Sequence, residues 1–568
     1  MTSLFDRTTM LQRLRDETFD LVVIGGGITG VGVALDAASR GLRTALVERH
    51  DFASGTSSKS SKLVHGGLRY LQQGEVRLVY EALHERQRLR RNAPHLVRVL
   101  PFLIPILGKP TADSSAGTKS LVSRKIARAM GSAMWMYDLT GGWRIGKLHR
   151  RLRKATALAH MPTMPARRLL SAYLYYDAAV DDARLVVTIA RTAAHHGAVV
   201  ANGCAVTGFV HDESGKVAGV TVHADGNEFD VRATVVVNAA GVWSDDVRAL
   251  DEGRHPDSIR PAKGVHLTVP WHKVRNDIAV VIPVPKDKRS LFVVPWGANA
   301  DGTFQHTYVG TTDTDYTGPL DDPQCTSDDI AYVLRALNAS IDPAIGGAIE
   351  VDDVTGVWAG LRPLVKRADS GRTADLSRRH SVSRNPHGVI TVTGGKLTTY
   401  REMAEDTVDD VLKVLGRQAR CRTKRLRLLG GDGHRDGKPG TVDGHLRGRY
   451  GVMATEVQQL IDTDSALGQP LVPGLPYLCA EAIYAVRHEM ARSLDDLLSR
   501  RVRARLQDRA STLAAAAHVA QLVASELGWD QAETQRQLAD FHDSIAAEQV
   551  TGLVSQADVI AHVTGIDS

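Results

Sequence analysis

Gly25, Gly27 and Gly30 are spaced as GxGxxG, directly after the apolar run Phe19–Ile24 (FDLVVI) and directly before the helical stretch VGVALDAASR. Glycines at these spacings suit one task. The first allows a tight turn, the second lets the backbone approach a pyrophosphate, and the third lets helix and strand pack closely. The phosphates then rest on the helix N-terminus, where N–H groups and the helix dipole favour an anion. Glu48 ends the next apolar run, LRTALVE, eighteen residues after Gly30. A carboxylate there accepts hydrogen bonds from a ribose and disfavours a 2′-phosphate. The pattern predicts a dinucleotide site and does not by itself separate FAD from NAD.

These residues need a strand, a turn, a helix and a second strand, and further elements lie far along the chain. Thr234–Gly241 (TVVVNAAG) reads as a buried strand ending in small residues, and Val389–Thr399 (VITVTGGKLTT) as a strand opening into a glycine turn and a helix. Both suit close backbone approach to a ligand. Their separation implies a cofactor domain assembled from distant pieces, whereas a simple NAD domain is usually contiguous. A chain of 568 residues exceeds one core and predicts two or three domains.

Other chemistries find little support. Cys204, Cys325, Cys421 and Cys479 form no CxxC and read as packing residues, the spacing of His and Asp in Gly430–Leu446 is too irregular for a metal site, and there is no nucleophile elbow. No metal and no nucleic acid are expected. No window reaches the roughly 18 apolar residues of a spanning helix, and MTSLFDRTTMLQRLRDE has no signal-peptide core, so a cytoplasmic location is expected. Net charge is +6, and Lys119–Lys154 carries ten Lys or Arg against one acid, Asp138, with Met130, Met134, Trp135, Met136, Tyr137 and Trp143 interleaved. That composition suits an anionic membrane face as well as a solvated basic face.

The segments Ala53–Leu71 (ASGTSSKSSKLVHGGLRYL), Tyr175–Leu185 (YYDAAVDDARL), Trp358–Leu364 (WAGLRPL), Gly394–Asp406 (GGKLTTYREMAED) and Glu481–Arg501 (EAIYAVRHEMARSLDDLLSRR) resemble, in order, the FAD-dependent glycerol-3-phosphate dehydrogenases of the aerobic, quinone-linked type. The resemblance implies an α/β fold with three parts. They are a glutathione-reductase-like FAD-binding Rossmann domain, an antiparallel-sheet substrate domain like that of D-amino-acid oxidase, and a helical C-terminal cap. The expected boundaries are 1–105, 170–245 and 355–410 for the FAD domain, 106–169 and 246–354 for the substrate and membrane-facing domain, and 411–568 for the cap.

Carried over residue by residue, the resemblance adds Thr56, Ser57, Ser60, Lys62, Val206, Gly241, Gly395 and Thr399 as FAD contacts, with the backbone at Val206 meeting the adenine. It places Arg69, Arg362, Arg378 and Lys396 around a substrate phosphate, with Tyr70 as a wall, although Arg379 and His380 depart from the family pattern and leave the register at Arg378 open. A dianion is well held by converging guanidinium forks. Oxidising a secondary alcohol requires hydride loss from carbon and removal of the hydroxyl proton by a base. His266 is the first candidate base, His65 and Lys396 compete with it, and Arg362 completes the catalytic set. The implied reaction converts sn-glycerol 3-phosphate to dihydroxyacetone phosphate, passing electrons through FAD to a membrane quinone at the inner face of the cell membrane. An oxidase making hydrogen peroxide and a non-catalytic flavoprotein remain as alternatives, and a homodimer is left open.

Overall fold

The computed structural model describes residues 5–72, 74–108, 121–287, 289–366 and 380–552. Its first strand, Thr18–Ile24, turns at Gly25, whose φ of +110° lies in the region that favours glycine, and enters the helix Ile28–Ser39. A Cβ on Gly30 would stand 1.9 Å from the Gly25 carbonyl oxygen, so any larger residue forces helix and strand apart.

Around this unit Ile390–Thr393, Asn227–Asn238, Thr18–Ile24, Thr44–Val47 and Val199–Ala201 lie side by side and parallel, with Ser381–Arg384 antiparallel at one edge. The central strands are β-branched and buried on both faces, as helix-covered parallel strands must be. The helix Ile28–Ser39 packs between Asp182–His195 and Tyr400–Val414. Gly32 makes that approach possible, since a Cβ there would meet the Tyr400 ring at 2.8 Å.

A second, ten-stranded sheet runs mostly antiparallel through Ile259–Pro270, Phe304–Gly310, Ser290–Ala298 and Ala279–Pro283, and continues into Arg98–Leu107 and Leu169–Ala179; Gly356–Val365 pairs along Ile259–Pro270. Sheet membership thus departs from the boundaries expected from sequence. Arg98–Leu107, Leu169–Ala179 and Gly356–Val365, mostly assigned there to the FAD domain, pair in the substrate-side sheet. The chain crosses between the sheets inside apolar strands, where no linker composition marks the change.

Helices from Val442 onward build the cap. The cap helix Cys479–Glu489 breaks off at its last residue. Met490 turns left-handed with φ 54°, and a short π-helical stretch follows at Asp496–Arg501. Ion pairing explains the break. The fully buried Arg501 donates to both Asp51 oxygens, at 2.8 and 2.7 Å, and to the Glu489 carbonyl, joining the cap to the loop after Thr44–Val47. Arg184 reaches Glu489 from the helix Asp182–His195, and Arg503 reaches Asp181 at 3.0 Å and also Asp182.

Removing one member of a buried pair leaves the other charge uncompensated, at about 3–5 kcal/mol. Arg501→Leu is therefore expected to lower the urea midpoint of the holoenzyme markedly and to expose Gly430–Leu446 to limited proteolysis. Arg536→Leu, removing the exposed partner of Glu533 and Asp540, should leave both nearly unchanged. Equal effects of the two substitutions would refute the docking role.

Candidate active site

The carboxyl ends of four parallel strands bring the cofactor candidates together. Thr18–Ile24 delivers Gly25, Gly27 and Gly30; Thr44–Val47 delivers Glu48; Asn227–Asn238 leads to Gly241; Ile390–Thr393 leads to Gly394–Gly395 and Thr399. Ligands of open α/β sheets bind in this crevice. The pieces touch directly: a Cβ on Gly25 would meet the Ala239 oxygen at 2.8 Å, and one on Gly55 would meet the Trp243 ring at 2.8 Å.

The Glu48 carboxylate accepts from Gly26 N at 2.6 Å and from His50 N at 2.8 Å. Burial pushes its pKa up, while these two N–H bonds pull it down. Cys204 N donates to the Glu48 carbonyl at 2.8 Å, so the strand Ala205–His211, with Val206, starts beside Glu48. Ser57 Oγ accepts from Ile28 N at 2.9 Å at the helix N-terminus. Close glycine turns, a helix N-terminus and a ribose-side carboxylate at one sheet edge fit FAD.

Ser60 and Lys62, expected beside the cofactor, also serve a buried acid. Ser60 donates through N and Oγ to Asp182, at 3.0 and 2.6 Å, and Lys62 Nζ lies 3.3 Å from the same carboxylate. Asp182 is fully buried and needs these donors, so both side chains serve it. Burial lowers the Lys62 pKa to about 8 against the pull of Asp182. Thr56 is likewise committed, donating to the Leu361 oxygen at 2.5 Å.

On the substrate side, register places Phe292, Gly310, His266 and Trp358 across four adjacent strands. His266 stacks on Trp358 at 4.8 Å with a 9° interplanar angle, and its Nε2 lies 2.8 Å from Ser61 Oγ. Its buried Nδ1 makes no hydrogen bond among the described residues. Burial pushes its pKa well below the ordinary histidine value, and the Lys62 and Arg362 cations push the same way. A Cβ on Gly310 would fall 2.2 Å from His266 Cδ2, so only glycine leaves the ring room.

Arg362 shares the face of Trp358 and bonds to Asp313 at 3.0 Å and to Thr311 Oγ1 at 3.1 Å. Lys396 Nζ lies 3.7 Å from the Tyr70 ring centroid. His65 sits nearby, its backbone N donating to Thr398 Oγ1 at 3.2 Å and its ring 6.4 Å from Phe292. Arg69 belongs to the helix Leu68–Gln72, but its side chain lies outside the described residues, as does Arg378.

Sequence reading missed the residues that hold this constellation. Tyr137 Oη and Gly66 N both bond to Asp177, at 2.7 and 3.2 Å, and Arg86 pairs with it at 2.5 Å, fixing the Gly66–Gly67 turn. An acid inside the apolar strand Leu169–Ala179 was the available signal. A cavity of about 400 Å³ lies on the cap side of the Ser54–Lys59 loop, walled by Trp243, Trp358, Arg500 and Arg503. None of the glycine turns lines it, and its arginines are ion-paired.

Residues 20–401 match the family model described as FAD dependent oxidoreductase, and residues 421–534 match the C-terminal domain of alpha-glycerophosphate oxidase. "Glycerol-3-phosphate dehydrogenase 2" of Mycobacterium bovis is 40% identical over 558 residues, covering 95% of this chain and 90% of that protein. The mitochondrial glycerol-3-phosphate dehydrogenase of Mesocricetus auratus is 37% identical over 553 residues, covering 92% and 72%. Among solved structures, the glycerol-3-phosphate dehydrogenase from Bacillus halodurans complexed with FAD aligns with a TM-score of 0.74 and 29% identity, covering 98% of this chain and 100% of that one. The expected fold class and cofactor are borne out, and the chain belongs to the FAD-dependent oxidoreductases, within the glycerol-3-phosphate dehydrogenase family.

Proposed function

We propose that the protein oxidises sn-glycerol 3-phosphate to dihydroxyacetone phosphate and passes the electrons to a membrane quinone. The observation that carries this reading is His266, with a buried nitrogen making no hydrogen bond among the described residues, on a sheet face that also presents Arg362. FAD, when bound, supplies the hydride acceptor. Arg69, Arg362, Arg378 and Lys396 hold the phosphate and Tyr70 walls it. His266, neutral in the free protein, accepts the hydroxyl proton; an arriving phosphate dianion offsets the Lys62 and Arg362 cations that depress its basicity. His65 is the alternative acceptor.

Anaerobic glycerol 3-phosphate should bleach the flavin absorbance of the purified holoenzyme, and an unchanged spectrum would overturn the reading. His266→Gln should slow that bleaching by about 10²- to 10⁴-fold while FAD content holds. Gly310→Ala, which displaces the ring without removing it, should slow bleaching in the same direction.

The quinone and membrane parts rest on the family likeness and on one surface. Among the described residues no helix is long and apolar enough to cross a membrane. In the basic segment Trp135, Leu139 and Trp143 are 56%, 77% and 53% exposed, beside the exposed Lys147, Arg150, Arg151 and Arg153. Met134 and Tyr137, read from sequence as part of the same apolar set, face inward. Lys119 lies outside the described residues, as do the side chains of Arg124, Lys125 and Arg128.

Substrate-reduced enzyme mixed with a quinone analogue should reoxidise faster than with oxygen; rapid peroxide formation would favour the oxidase. Replacing Arg150, Arg151 and Arg153 with Gln should reduce co-sedimentation with anionic liposomes at low salt. Unchanged sedimentation removes this surface from the proposal.

A further inference from the structure

Away from the crevice, three side chains distant in sequence converge. His211 ends the strand Ala205–His211, Asp251 lies in the last turn of the helix Ser244–Glu252, and His387 sits in the turn between Ser381–Arg384 and Ile390–Thr393. Their ligand atoms all lie within 4.8 Å of one another. His211 Nε2 and His387 Nδ1 each stand 3.0 Å from the same oxygen, Asp251 Oδ1. The two rings are nearly perpendicular, at 88° with centroids 5.6 Å apart.

The carboxylate is fixed before any ligand arrives. Asp251 is 1% exposed at its side chain, and its other oxygen accepts from Asn385 Nδ2 at 2.6 Å. Asn385 is itself held, its Oδ1 accepting from Val389 N at 2.9 Å, and the His387 carbonyl accepts from Val217 N at 3.0 Å. A carboxylate whose free oxygen faces two imidazoles while its second oxygen is hydrogen-bonded has the outer-shell support of a metal ligand. Two imidazole nitrogens and one carboxylate oxygen suit a borderline divalent ion and leave a fourth position to water.

We propose that His211, Asp251 and His387 bind a divalent transition metal of the zinc class, at a site separate from the crevice. The sequence predicts no metal because local spacing carries no trace of ligands 40 and 136 positions apart. The location suggests what the ion does. The helix bearing Asp251 starts just after Gly241–Trp243, and the turn bearing His387 feeds the strand that opens into Gly394–Gly395. An ion here ties the far ends of both elements to the Ala205–His211 strand, and so steadies the two glycine turns from outside.

The test uses untagged holoenzyme treated with chelator, dialysed and titrated with zinc chloride against a chromophoric competitor. One zinc per chain is expected, with a dissociation constant of about 1 µM or tighter, and with proton release as the histidines lose their protons to the metal. Zinc should also raise Tm. His211→Gln with His387→Gln leaves the Asn385 bond to Asp251 in place, and should weaken binding by at least about tenfold, the scale at which even outer-shell partners count. The FAD spectrum shows that this variant is folded. Wild-type binding weaker than about 100 µM, or equal zinc affinity in the folded variant, overturns the proposal. The same titration of His434→Gln should match wild type; loss of binding there would move the site to the cap linker and overturn it too.

Discussion

The Asp182 carboxylate is the group around which the rest is arranged. Fully buried, it needs hydrogen-bonding partners, and it draws them from two regions. Arg503 comes from the cap, Lys62 and Ser60 from the loop after the second strand, and its own helix packs on the glycine-turn helix. Trp358 and Tyr308 then hold the carbonyls of Ser60 and Ser61, at 3.1 Å each, and bring the same loop down on the second sheet. One buried charge thereby couples cofactor unit, substrate sheet and cap.

That coupling sets the electrostatics of His266. Lys62, held by Asp182, lies 4.6 Å from the Trp358 ring on which His266 stacks, and adds its field to that of Arg362. Burial first, and these cations next, hold the imidazole well below the ordinary histidine range, and in the proposed reaction a substrate dianion would offset the cations. Asp313 meanwhile keeps the Arg362 guanidinium oriented along the sheet face.

The glycine turn, Glu48 and the strands leading to Gly241 and Gly395 were legible because each depends on local rules: a steric need for glycine, β-branched burial, a strand-terminal acid. The family likeness added Arg362, Lys396 and His266, and the structure puts His266 and Arg362 on one sheet face. What stayed hidden was set by long-range pairing. Nothing local to Ser60 and Lys62, expected as cofactor contacts, reveals Asp182 as a partner of both. Asp177, Arg86 and Tyr137 are ordinary residues in sequence and meet only through the fold. The break at Met490 is written in the Arg501 pairing, not in helical periodicity.

The position of Arg501 and Arg503 in the chain has a consequence for biosynthesis. Asp51, Asp181 and Asp182 leave the ribosome hundreds of residues before the arginines that neutralise them. Until then these carboxylates have only the partners made before those arginines, Ser60 and Lys62 for Asp182 and Asn202 for Asp51. Docking of the cap on the cofactor unit through these pairs therefore waits for the C-terminal part of the chain.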